Sequence, residues 1–179
     1  MNTLGAIYLD SAIKRVLTYK TLGDMTFAQL EEKDFFFMPS EQSNSIAVII
    51  QHMHGNMISR WTNFLTEDGE KPGRNRDEEF SPPTCDRAQL LEMWEQGWRC
   101  LIGTLSLLKE DDLLKTITIR HESLTAIDAI NRQLAHYPHH VGQIVYIGKM
   151  IRDHNWRTLS VPKGGSRDYN KVMEEKFKH

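Results

Sequence analysis

The chain has 179 residues, of which 40 % are apolar and 26 % charged, a balance that suits one soluble domain with a single core spanning residues 1–179. A net charge of −2 and a pI near 6.4 leave no basic footprint for nucleic acid. No apolar run reaches membrane-spanning length, the N-terminus has no basic segment ahead of an apolar stretch, and two isolated cysteines make no disulfide framework; together these predict a cytoplasmic protein without a secretory signal or membrane partner.

The first predicted helix runs from about Leu4 to Glu32, with Ile7, Tyr8, Ala12, Val16 and Tyr19 at helical spacing. Residues 34–43, with Pro39, interrupt the pattern. A second helix starts near Ser45 and carries Ile46, Ile49, Ile50, Met53, Met57, Trp61 and Phe64 along one stripe. Residues 67–84 are a long connection, too polar to be core, of the kind that crosses a bundle. Asp86 caps a third helix that reaches about Lys109, with Trp94, Trp98, Leu101 and Leu105 on its stripe. Residues 116–121 alternate as an extended segment or small hairpin. Thr125 caps a fourth helix, whose stripe includes Ile130, Leu134, Tyr137 and Val141 and which ends near Arg152. A loop at residues 160–166 precedes a charged terminal helix from about Tyr169; the loop either covers a pocket mouth or anchors the C-terminus. Four amphipathic helices with almost no strand predict an all-α four-helix bundle with a long crossover connection.

The fourth helix contains His136-Tyr137-Pro138-His139-His140. Residues four apart share a helix face, so His136 and His140 can present two imidazoles to one divalent ion, whereas His139 falls on the other side, toward solvent or a subunit partner. Pro138 removes one backbone hydrogen bond and crowds the carbonyl of Leu134, which predicts a kink or local widening. A third ligand can come from His52 or His54 on the second helix. These two are about 200° apart on a helical wheel and do not share one ion, and His54 lies closer to the apolar stripe. No Glu sits inside the HxxxH, which excludes a zinc-protease general base, and no Gly-rich phosphate loop stands out. Cys85, in the connection, and Cys100, on a stripe, read as structural or incidental rather than nucleophilic. Gln143, Asn56 and Tyr137 serve equally well as ligand-orienting groups or as polar packing.

The runs Asn131-Arg132-Gln133-Leu134-Ala135-His136 and His140-Val141-Gly142-Gln143-Ile144 resemble the last bundle helix of the DinB-like superfamily, which includes the YfiT-type proteins and the bacillithiol transferases. Within it the chain resembles the DUF1572 group through Asn44-Ser45-Ile46-Ala47-Val48-Ile49-Ile50, His52-Met53, Gly55-Asn56-Met57, Trp61, Asp68-Gly69-Glu70-Lys71-Pro72 and Leu159-Ser160-Val161-Pro162-Lys163-Gly164. The resemblance implies up-down-down-up helix order and a divalent metal held by three histidines, which by position are His52, His136 and His140. Imidazole-only ligation favours zinc or nickel, with iron and manganese also open. The resemblance further implies a homodimer, which exposed aromatic and Met positions also suggest. It points to a small-molecule substrate, a low-molecular-weight thiol, handled by a metal-dependent transferase. A non-catalytic, metal-stabilised dimeric bundle or small-ligand module is the alternative expectation.

Overall fold

Each long helix begins where a short polar side chain closes its first turn. A computed structural model describes residues 3–178. In it, α1 (Leu4–Phe27), α3 (Ile46–Trp61), α4 (Arg87–Leu107) and α5 (Ala126–Arg152) start behind Thr3, Ser45, Asp86 and Thr125, whose side-chain oxygens accept from Ala6, Val48, Gln89 and Asp128 N–H. At α4 the bond is reciprocal, because Gln89 Oε1 accepts from Asp86 N–H at 3.0 Å. The protein is mostly helical: α1 packs against α4 and α5, and α3 packs against the same two helices. One buried apolar cluster fills the space between them, with Trp61, Trp98, Tyr137, Ile50, Met53 and Leu101 among its fully buried members. No helix among the described residues is long and apolar enough to cross a membrane.

The first helix is shorter than its pattern predicts. It stops at Phe27, and Gln29 and Leu30 N–H tighten onto Thr26 and Phe27 carbonyls three residues back. Glu31 then extends, its N–H donating to Asp34 Oδ2, and a four-residue helix α2 (Glu32–Phe35) turns the chain. The break brings Phe35 to 5.3 Å from Phe27, so buried aromatic contact replaces the last expected stretch of α1. The terminal helix α6 (Ser166–Lys176) starts three residues earlier than expected. Its lead-in is anchored on α1's exit, where Gln29 Oε1 accepts from Arg157 N–H at 2.7 Å.

Gly23 sets the closeness of α1 and α4. A Cβ there would stand 2.3 Å from Trp94 Cζ2, and Trp94 is held by its own Nε1–H bond to Asp24 Oδ1 at 2.8 Å. Gly23→Ala is therefore expected to cost about 1–3 kcal/mol through overpacking. Thermal denaturation should show the midpoint falling by roughly 2–12 °C; an unchanged midpoint would mean that α4 slides freely past α1.

The expected extended segment is half of an antiparallel hairpin, β1 (Thr116–Ile119) and β2 (Glu122–Thr125), with Ile119 paired to Glu122. Its two turn residues, Arg120 and His121, have φ of 54° and 66°, a left-handed conformation usually left to Gly or Asn. Asp68 compensates: its two carboxylate oxygens accept from Arg120 and His121 N–H, each at 2.9 Å. The bond from Glu70 N–H, together with these two, holds the Asp68 carboxyl well below the usual carboxylate range. The latch joins the hairpin to the 67–84 connection. That connection departs from expectation, because it delivers two charged side chains, Arg74 and Glu79, into the interior.

Candidate metal site

His136 and His140 leave one face of α5, as their spacing predicts, and α3 brings His52 to meet them. The ring centroids are 4.7 Å apart for His136 and His140, 4.9 Å for His52 and His140, and 5.5 Å for His52 and His136. One nitrogen from each ring lies within 4.8 Å of the other two. Pro138, between the two α5 histidines, does not end the helix. His54 is half-buried elsewhere, beside Gln96 of α4, and takes no part in the cluster. His139 is exposed.

The outer nitrogen of every ring is engaged. His52 Nδ1 faces Glu79 Oε2 at 2.9 Å, His140 Nδ1 faces Gln143 Oε1 at 2.8 Å, and His136 Nδ1 faces Gln133 Oε1 at 3.2 Å. A carboxylate and two amide oxygens can only accept, so each ring carries its proton on Nδ1. The Nε2 atoms are then bare lone pairs, and those of His136 and His140 face each other at 3.1 Å. Two lone pairs at that distance repel unless a proton or a cation lies between them. A proton is disfavoured: burial, then the neighbouring His140 and His52 rings, push His136 down to about 3. Burial, with His52 and His139, pushes His140 down to about 4 although its bond to Gln143 opposes this. The donor set therefore fits a divalent cation. Its outer partners, a carboxylate and two carboxamides, are of the kind that orient metal-binding imidazoles.

Glu79 was not among the residues singled out from the sequence, nor was Gln133. Glu79 is 7 % exposed and lies in a short 3₁₀ turn (Glu78–Phe80) laid on α3. Besides His52, it accepts from Arg74 Nε at 2.6 Å and Arg74 Nη2 at 2.8 Å. Burial pushes its carboxyl up, but Arg74 and His52 together outweigh that and keep it below the ordinary range. The signal that could have revealed it is Gly55, three residues after His52: a Cβ at Gly55 would stand 2.3 Å from Glu79 Oε1. Gln143 orients His140. Tyr137 is fully buried; it accepts from Trp61 Nε1 at 2.9 Å and donates to Asn56 Oδ1 at 3.0 Å. The 160–166 loop is not in the cavity wall described next.

The three rings form part of the wall of an open cavity of about 670 Å³. Asn56 and Phe80 also line it, and several arginines from the connection, the hairpin turn and α5 reach it. A helical bundle that gathers three imidazoles from two helices, at the wall of a small-molecule-sized cavity, is the class of protein that fold and site define. The chain belongs to the family described as protein of unknown function (DUF1572), whose model matches residues 3–165. No curated protein and no solved structure matches it.

Proposed function

We propose that this chain is a metal-dependent enzyme of the DinB-like superfamily, a transferase acting on a low-molecular-weight thiol. In this reading the four long helices take the up-down-down-up order, and the Nε2 atoms of His52, His136 and His140 hold one divalent ion, zinc or nickel before iron or manganese. The observation that carries it is that one nitrogen from each of the three rings lies within 4.8 Å of the other two, while each Nδ1 meets an outer acceptor oxygen on Glu79, Gln133 or Gln143. Three neutral ligands leave a bound ion its full charge, so that it would lower the pKa of a thiol or water at an open position, or polarise a carbonyl. The chain's own part is positional. Glu79, Gln133 and Gln143 fix the ring planes, and the open cavity admits a substrate to the rings. Asn56, its Oδ1 taken by Tyr137, offers its amide N–H groups to a bound molecule. A homodimer is part of the proposal, and the exposed Tyr146 and Met150 of α5 are apolar surface available for it.

The test uses protein purified without a histidine tag. Metal analysis should find one divalent ion per chain. The metal-loaded protein should then consume small thiols in the presence of an aryl or alkyl halide. A carbon–sulfur bond forms, the carbon–halogen bond breaks, halide leaves and the thiol proton passes to solvent. Metal at full occupancy with no turnover across a panel of thiols and acceptors would replace this reading with that of a non-catalytic, metal-stabilised module.

A further inference from the structure

The cavity above the histidines is strongly cationic in a chain whose net charge is −2. Arg60 of α3, Arg74 and Arg76 of the connection, Arg120 of the hairpin turn and Arg132 of α5 all line it, and among the described residues no carboxylate does. The carboxylates behind the wall are too few to neutralise them. A single oxygen, Glu70 Oε2, serves Arg60 at 2.9 Å, Arg120 at 3.0 Å and Arg74 at 3.3 Å. Glu79 serves Arg74, and Glu122 serves Arg132 across an exposed 3.2 Å pair. Five guanidinium groups thus face three carboxylates, and the neutral imidazoles add no negative charge.

Arg76 is the plainest case. Among the described residues it has no carboxylate within ion-pair distance. Its guanidinium instead rests 5.0 Å from the centre of the Phe80 ring, whose other neighbour is His52, with ring centroids 4.6 Å apart. Phe80 therefore spaces a cation with unused donors at a set distance from the imidazole cluster. Four separate chain segments contribute the arginines, and the hairpin turn that contributes Arg120 is held in left-handed geometry by Asp68. A helix face carrying charge for solubility has no need of such convergence. The concave shape and a volume within the metabolite range favour a small anion over a polyanion lying on the surface.

We propose that the substrate of this site carries an anionic head group, a carboxylate or a phosphoryl group, which Arg76, Arg120 and Arg132 bind while its reacting atom reaches the histidine cluster. The position of the reacting atom rests on the metal-site reading above; the anion site does not. Planar guanidinium forks match both head groups in paired hydrogen bonds, and the three arginines chosen are exposed at the rim: Arg76 has no ion-pair partner among the described residues, and Arg120 and Arg132 each keep guanidinium N–H groups beyond the one engaged by Glu70 or Glu122.

The test is calorimetric titration of chelator-treated protein with inorganic phosphate, with succinate and with neutral succinamide. Phosphate or succinate should bind with an affinity that weakens as salt rises, and succinamide should not bind; whichever anion binds names the head group. Arg76→Gln should weaken that binding about tenfold, the scale of one charge-assisted hydrogen bond, and Arg76→Gln with Arg132→Gln about a hundredfold. Arg167→Gln on α6 should leave it unchanged. A His136→Ala, His140→Ala double variant should still bind the anion, which separates this inference from metal binding. Absence of anion binding by wild-type protein that takes up stoichiometric metal would overturn the inference and leave the metal site standing. So would wild-type affinity in the double arginine variant, or equal affinity for succinamide.

Discussion

His136→Ala and His140→Ala are expected to abolish stoichiometric metal binding. The loss should exceed the roughly 10–100-fold that removal of an outer partner costs, because each substitution deletes a donor atom. The accompanying stability pattern is more diagnostic than the loss. An ion present at a hundred times its Kd stabilises the folded state by about 2.7 kcal/mol, so chelation should lower the wild-type melting point by roughly 5–10 °C. The variants should not respond to the chelator. After chelation the wild type should melt no higher than His140→Ala, because the 3.1 Å confrontation of two Nε2 lone pairs is relieved in the variant. Acid should act in the same direction. The folded-state pKa values of His136 and His140, about 3 and about 4, lie below the ordinary 6.5. The unfolded chain therefore takes up protons first, and the metal-free protein loses stability as pH falls from about 6.5 toward 4. Metal release adds to that loss when the ion is present. A metal-free wild type that melts well above His140→Ala at pH 7.5 would mean that the histidines are packing residues.

How far the molecule can be read from its residues depends on what hides a group. The three later helices are legible because their N-caps, Ser45, Asp86 and Thr125, and their 3.6-residue stripes agree. The end of α1 is not, because the apolar spacing continues through Leu30 and Phe35 after the helix has stopped; both residues are buried, but on a reversed segment. The choice between His52 and His54 shows a deeper limit. The apolar stripe of α3 points nearer His54, yet α3 is covered on more than its stripe. Ile46 through Ile50 are all buried, and the connection closes over Ser59 and Arg60. His52 is buried by that polar cover, which leaves no apolar moment to follow, and here the family resemblance pointed to the residue that joins the cluster. Polar composition likewise placed residues 67–84 outside the core. Arg74 and Glu79 nevertheless go inside, because each neutralises the other and the remaining donors and acceptors are taken up by His52 and Glu70. Paired charges cancel in the fold and not in the sequence pattern.

Glu79 should accordingly be the most sensitive position outside the three histidines. Glu79→Ala removes both oxygens that hold Arg74, whose side chain is only 4 % exposed, and leaves that guanidinium with the shared Glu70 oxygen alone. Breaking a buried pair by deleting one partner costs about 3–5 kcal/mol. For a chain of this size, that corresponds to a fall in melting point of roughly 6–20 °C. The site suffers separately, because His52 Nδ1–H loses its acceptor and the ring loses both its orientation and the charge that makes Nε2 a stronger donor. Glu79→Gln tells the two effects apart. It keeps the shape that fits against Gly55 and one acceptor oxygen, but removes the negative charge. Protein of this variant that remains folded by circular dichroism should bind metal about 10–100-fold more weakly than wild type, with His136 and His140 untouched. If Glu79→Gln lowered the melting point but held metal as tightly as wild type, Glu79 would be a prop for Arg74 and the His52 contact incidental. If it changed neither, the buried carboxylate would have to be protonated in the native protein, contrary to the two cationic partners placed on it.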